Sequence, residues 1–414
     1  MVGDERARRS ARLSSALALV EAEDFEAGAT ELRKLLPDLD GRDLLDASLA
    51  LGRASLFTEK TEDALALAER SLELADGSGD LEMRGPAIAL ISQVFGQRGD
   101  EGDLARALEL GDRALEAWIP GTRAGDLSLH ESLHALNHYW AGHYADAADL
   151  GRRGEDGATE GLALAALGRS EEAIERSNAA IASARGTGSA LGIAYALCCS
   201  TAVLRDVLDL AEARRRNEEA IELYRRIGFE SGVMQGEMDL LYADLAGGDV
   251  SSADRAWPAL WARLGGATGW ERWLAPGRLS VARAEIAQRQ ERWEASVEAA
   301  LAAIDVARRI GRLKYDVSAR VVLGAAHLEL GRTDEAIAEL RQAAGDADRL
   351  VHPPTRWRAH AALGRALRAA GDDEGAATAS RRAGGIARDF VATLAAERAA
   401  PVIASPEVQD LLRA

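Results

Sequence analysis

The chain has 414 residues and is poor in several things that decide chemistry. It has two cysteines, Cys198 and Cys199, and as immediate neighbours they cannot form an ordinary structural disulfide. A reducing, cytoplasmic setting is the natural expectation. Proline occurs nine times and aromatic residues make up 5%, leaving a chain dominated by Ala, Leu, Arg, Glu and Gly, of which the first four are strong helix formers. Only three lysines occur, Lys34, Lys60 and Lys314. No G-x-x-x-x-G-K-[ST] is present, so no P-loop ATPase lies in this stretch. The 19 uncharged residues between Arg185 and Arg205 include three glycines, two serines and two threonines, too polar for a membrane span. The arginine-rich start is followed by an apolar run that Ser14 and Ser15 interrupt and Glu21 ends, so no secretion signal is expected. The net charge of −17 is spread along the chain, which disfavours the phosphate neutralisation that nucleic-acid binding needs.

What is present in quantity is repetition. A turn residue, a few polar residues and an alanine recur as GDLARA at Ala107, GHYADA at Ala147, GRSEEA at Ala173, GDVSSA at Ala253, GRTDEA at Ala336 and GDDEGA at Ala376. Looser copies end at Ala27, Ala64, Ala213 and Ala295, with Ala27 and Ala295 the least secure in register. Successive alanines are 37, 43, 40, 26, 40, 40, 42, 41 and 40 residues apart. Such a period marks a stacked repeat architecture, because one helical hairpin cannot hide its apolar face alone. Around Ala336, helix A carries Val322, Leu323, Ala326 and Leu330, Gly331 ends it, and Asp334 and Glu335 open helix B at the positive end of its dipole.

Leu323, Gly324, Gly331, Ala336 and Ala343, and again Leu363, Gly364, Gly371, Ala376 and Ala383, resemble the tetratricopeptide repeat (TPR) family pattern. The longer period and the phrases AERSLELADGSGD, YRRIGFESG and ARRIGRLKYD are similar to the C-terminal arrays of large bacterial LuxR-type ATP-dependent regulators and cyclase-linked ATPases. The end, from Ala392 on, looks like the tail that closes such arrays. The resemblance implies an all-α, right-handed TPR-like solenoid of about ten hairpins with a period near 40. It also implies a role in bacterial signalling or transcriptional regulation.

The 26-residue interval between Ala147 and Ala173 breaks the rhythm and holds Gly151, Gly154, Gly157 and Gly161. These glycines predict a shortened helix B and a bend. The expected organisation is an N-terminal sub-array at 1–150, a glycine-rich break at 151–160, a second sub-array at 161–385, and a capping helix and tail at 386–414. Just before the break, HESLHALNHYWAGH gathers four of seven histidines. His130, Glu131 and His134 spell H-E-x-x-H, the signature of zinc proteases in which two histidines bind Zn and the glutamate activates water. His138 continues the same helix face, and Glu155 or Glu160 could supply a third ligand by sequence distance. The longer zincin form fails, with Asn137 and Trp140 at its Gly and third-His positions. The main reading is a polar packing cluster; metal or ligand binding comes second and hydrolysis through Glu131 third.

Trp257, Trp261, Trp270 and Trp273 are half of the tryptophans. Core packing is their first reading, an aromatic pocket for a peptide or small effector the second. The expected function is a non-enzymatic module that takes a protein or peptide partner in a concave groove, with side chains on helix A carrying specificity. No cofactor is expected, and neither nucleic acid nor membrane. The alternatives are a Zn-dependent hydrolase at 130–134 and a sensor built on the tryptophan-rich hairpin.

Overall fold

The computed structural model describes residues 2–267 and 269–413. Among them are twenty-two α-helices, two short 3-10 turns and no strand. The chain divides into two compact units, one up to Asn137 with Gly269 and Trp270, the other His138–Ala267 with the residues from Glu271 on. The first holds α1 (Val2–Glu21), α2 (Phe25–Leu35), α3 (Gly41–Phe57), α4 (Thr61–Ser78), α5 (Leu81–Arg98), α6 (Asp103–Ala117) and most of α7 (Ala124–Ala141). The second begins in the last turn of α7 and continues through α8 (Tyr144–Arg153), α9 (Gly157–Ala166), α10 (Ser170–Thr187), α11 (Ala190–Asp206), α12 (Leu210–Ile227), α13 (Glu230–Gly247) and α14 (Val250–Arg263). It ends with α15 (Glu271–Arg289), α16 (Trp293–Arg309), α17 (Leu313–Glu329), α18 (Thr333–Leu350), α19 (Pro353–Ala369), α20 (Asp373–Ala392), α21 (Ala396–Ala404) and α22 (Pro406–Arg413). Odd-numbered helices up to α19 are the A helices of ten hairpins, and even-numbered ones up to α20 their B partners. The fold is an all-α, TPR-like hairpin solenoid.

The repeat register is set by one contact. In each B helix the first turn brings a small residue against helix A, and Ala64, Ala107, Ala147, Ala173, Ala253 and Ala336 are all fully buried there. Two assignments shift by one residue: Gly28, whose amide bonds to Asp24, and Ser296, whose amide bonds to Arg292, occupy the position expected of Ala27 and Ala295. Facing them, helix A is also small. A Cβ on Gly324 would lie 2.4 Å from Leu340 of α18, so only glycine admits that approach. The turn needs a left-handed residue, which Gly331 supplies at φ +73. Copies without glycine adopt the same conformation at Glu23, Glu59, Leu208 and Glu291.

The glycine-rich interval holds the end of α8, a turn at 154–156 and the start of α9. The 26-residue spacing arises because α8 and α9 have ten residues each, and the glycines allow close helix approach instead of a linker. A Cβ on Gly151 would meet the Glu160 amide at 2.8 Å, and one on Gly161 the Ser177 hydroxyl at 2.6 Å. The buried Glu160 carboxylate is held by Arg152 at 3.0 Å and Arg176 at 3.2 Å. The two compact units divide at 137/138.

The second unit closes on itself. Glu171 at the start of α10 accepts from the Ala395 amide at 2.8 Å and from Arg398 at 2.7 Å. His352, the N-cap of α19, bonds Asp206 at the end of α11 across 3.1 Å. One apolar cluster runs from Ala147, Leu164 and Val203 to Trp357, Phe390, Val402, Val408 and Leu411. Helices about 200 residues apart in sequence therefore share a core. Truncation after Leu394 should cost about 5 kcal/mol, from the lost burial of Val402, Val408 and Leu411, read by urea unfolding. Amide exchange should accelerate in α9–α11 as well as α20; faster exchange confined to α20 would show that the closure carries no stability.

Candidate functional site

The H-E-x-x-H lies on α7, and its two histidines are packed against α6. His130 is fully buried, and its Nε2–H donates to the Gly111 carbonyl at 3.1 Å. Its ring stacks on Trp118 at 6.1 Å and on His134 at 5.5 Å. His134 Nε2 lies 3.0 Å from Asp112 Oδ1, and a Cβ on Gly111 would fall 2.2 Å from the His134 ring. The column Trp118–His130–His134 is thus fitted to a glycine on the neighbouring helix, and the nitrogen that a zincin uses for metal is spent at His130 on a backbone carbonyl. Burial first, then the neighbouring His134, pushes the His130 pKa down to about 3. Glu131 is buried on the same helix.

His138, in the second unit, stands with His143 and Asp146 in a group whose donor atoms lie within 4.8 Å of one another. His138 Nδ1 is 3.8 Å from Asp146, and the His138 and His143 rings are 5.6 Å apart. These three residues could hold a divalent cation at the α7–α8 turn.

The tryptophans are distributed. Trp257 and Trp261 stack at 5.0 Å on α14, and the Trp257 indole donates to the Leu279 carbonyl at 2.7 Å. Trp273 is buried on α15, edge-on to Trp140 at 5.2 Å, and Trp270 lies in the turn before that helix.

The largest concentration of chemistry is one that no local motif announces: charged and tyrosine side chains on the A helices of the second unit. Asp239 of α13 receives Arg278 of α15 at 2.5 Å and Arg205 of α11 at 3.5 Å. Both guanidinium groups also face the Tyr242 ring, at 5.4 and 5.6 Å. The Tyr242 hydroxyl donates to the Arg278 carbonyl at 2.8 Å. On α19, Arg358 pairs with Glu407 of α22 at 2.8 Å. Arg358 keeps 53% of its side chain accessible. Glu407 and then the opposing burial set its pKa, with the net effect upward. Lys314 of α17 is half-buried; burial leads in pushing its pKa down to about 8, and Arg205, Arg312 and Arg278 add repulsion against the attraction of Asp206. The signal existed in the repeat register: Arg278 and Arg358 stand at one position two repeats apart, where the copies on α11, α13 and α17 carry Tyr195, Gln235 and Ser318.

The His130 environment has a consequence for pH. Unfolded, this imidazole titrates near 6.5; folded, with His134, Asp112 and the Gly111 carbonyl around it, it stays neutral until about pH 3. The unfolded chain therefore binds the proton first, and stability present above pH 6.5 is lost as pH falls, at about 1.4 kcal/mol per unit. Between pH 7 and 5 the wild type should lose roughly 2 kcal/mol more than His130→Gln in urea unfolding. Equal losses would show that burial does not protect this ring.

No described helix is long and apolar enough to cross a membrane. No family model and no curated protein matches the chain, so the LuxR-type resemblance finds no support in sequence comparison. Among solved structures the chain is similar to a Rap protein complexed with competence and sporulation factor. That match has 13% identity over 94% of this chain and 100% of the other, with a TM-score of 0.54. It is also similar to the Cut9–Hcn1 hetero-tetramer of the APC/C, with 13% identity over 100% of this chain and 85% of that one, TM-score 0.54. At such identity the likeness is one of fold, and the fold is that of the TPR-like helical repeat proteins.

Proposed function

We propose that the chain is a non-enzymatic recognition module of a regulatory system, which binds a peptide or a segment of a partner protein against the A helices of residues 138–414. The observation that carries this reading is the placement of Arg205, Tyr242, Arg278, Arg358 and Lys314 on successive A helices. A solenoid needs apolar and small residues to stack, and charge buried between helices costs stability unless it serves another end. The structurally similar Rap protein is complexed with competence and sporulation factor, which makes binding of a regulatory factor a natural use of this architecture. A bacterial signalling role fits the TPR-like sequence phrases. Hydrolysis gains no support, because the His130 and His134 rings are stacked and bonded to α6.

The test is selection of binders from a random-peptide library on the full chain. Selected peptides should bind Lys314→Ala roughly tenfold more weakly, the loss of one charge-assisted hydrogen bond. They should bind Arg215→Ala, altered on the outer helix α12, as they bind the wild type. Failure to select any peptide counts against the module; binders insensitive to Lys314→Ala place recognition elsewhere.

A further inference from the structure

The interior of the second unit contains a group of buried donors with no acceptor. Arg312 is the N-cap residue of α17 and is 5% exposed. Its guanidinium lies 5.7 Å from the Trp273 ring centre and 4.7 Å from that of Tyr315. Its Nε and Nη1 are buried without a hydrogen-bond partner. The indole N–H of Trp273, beside it, is also buried without an acceptor, as is Nε of Arg278. Nearby carboxylates are already engaged: Asp239 by Arg278 and Arg205, and Asp206 by His352. Buried hydrogen-bonding groups are nearly always paired, and those of a charged side chain most of all. For each of these donors the missing partner is an acceptor, and the Arg312 guanidinium has no hydrogen-bonded carboxylate against it.

We propose that this cluster is a carboxylate-binding site, in which a ligand carboxylate lies in the guanidinium plane of Arg312 and accepts from the Trp273 indole. The proposal rests on the recognition reading above and names the chemical group that is recognised. Arg312 is fixed against two aromatic rings, so that ordering entropy is already spent and the edges of its fork remain for a planar anion. The amides of the first turn of α17 add a positive dipole end. Lys314 and Tyr315, two and three residues on, are only half-buried, so solvent-accessible space adjoins the site. Lys314, whose pKa is lowered by burial first and by these arginines after it, gains a compensating charge when the anion arrives. The carboxylate could come from a peptide C-terminus, from an acidic side chain, or from a free organic acid; the chemistry is the same.

The experiment compares the full chain with Arg312→Met. Without ligand, the variant should unfold at the same or a higher temperature, because an unpaired buried charge is removed. A clear fall in its midpoint would assign Arg312 to structural support and overturn the proposal. Calorimetry then measures a library-selected peptide with a free C-terminus, the same peptide amidated, succinate and inorganic phosphate. The carboxylate carrier should bind Arg312→Met roughly tenfold or more weakly than wild type. Loss on amidation identifies the C-terminus as the source, and retention identifies an acidic side chain. Equal peptide binding by both proteins overturns the site and leaves the recognition module standing. Succinate binding that depends on Arg312, with no peptide bound, upholds the site and removes the peptide reading. Phosphate binding in preference to every carboxylate overturns the carboxylate assignment.

Discussion

The contact between a small residue in the first turn of helix B and the face of helix A governs this molecule. Where Ala336 meets α17, or Ala173 meets α9, the backbones come close enough that a larger side chain would force them apart. Overpacking of that kind costs typically 1–3 kcal/mol. Because the same contact recurs with a period near forty, each hairpin presents its neighbour with nearly the same surface. Stacking then accumulates in one direction. The two positions where the alanine is replaced, Gly28 and Ser296, keep the rule by remaining small. The Ser296 hydroxyl also satisfies itself on the Ala284 carbonyl of helix A at 3.0 Å.

From that constraint follows the second feature, closure. An open stack leaves an apolar face at each end, and the second unit joins its early and late helices through one core and adds two short capping helices. Closure turns the A helices toward one another and raises the cost of every charge they carry. The network answers with shared partners: one carboxylate, Asp239, serves two arginines, and Tyr242 offers its ring to the same pair. Such sharing is economical only in an enclosed space, where the effective dielectric is lower than at the surface.

The repeat was legible in the residues because it depends on local chemistry: a turn residue, acidic residues in a first turn, and an alanine at fixed offset. The short interval and its shortened helix B were also visible, since α8 has ten residues, but the close approach that the glycines permit was not. Gly151 and Gly161 serve close approach between helices, which depends on what stands opposite, here Glu160 and Ser177. The H-E-x-x-H shows the same limit. Two histidines four apart share a helix face, but whether that face meets a cation or another helix is decided elsewhere. Here Gly111, nineteen residues before His130, makes room for the His134 ring, and its carbonyl accepts a hydrogen bond from His130.

The interior was invisible for a related reason. ARRIGRLKYD contains Arg312, Lys314 and Tyr315, yet as a sequence it reads as an ordinary helix end followed by a start. Arginines on amphipathic helices are normally solvated, so none of them signals burial by itself. Their meaning comes from partners contributed by α11, α13 and α15, one or two residues at a time across more than a hundred positions. Arg312 shares aromatic neighbours with Arg205 and Arg278 but, unlike them, has no carboxylate partner. A fold selected for stability alone would be better served by an apolar residue at that point. Retaining a guanidinium between Trp273 and Tyr315 makes sense where its missing counter-charge is supplied from outside. The stability given up by the empty protein then becomes part of the free energy with which it holds its partner.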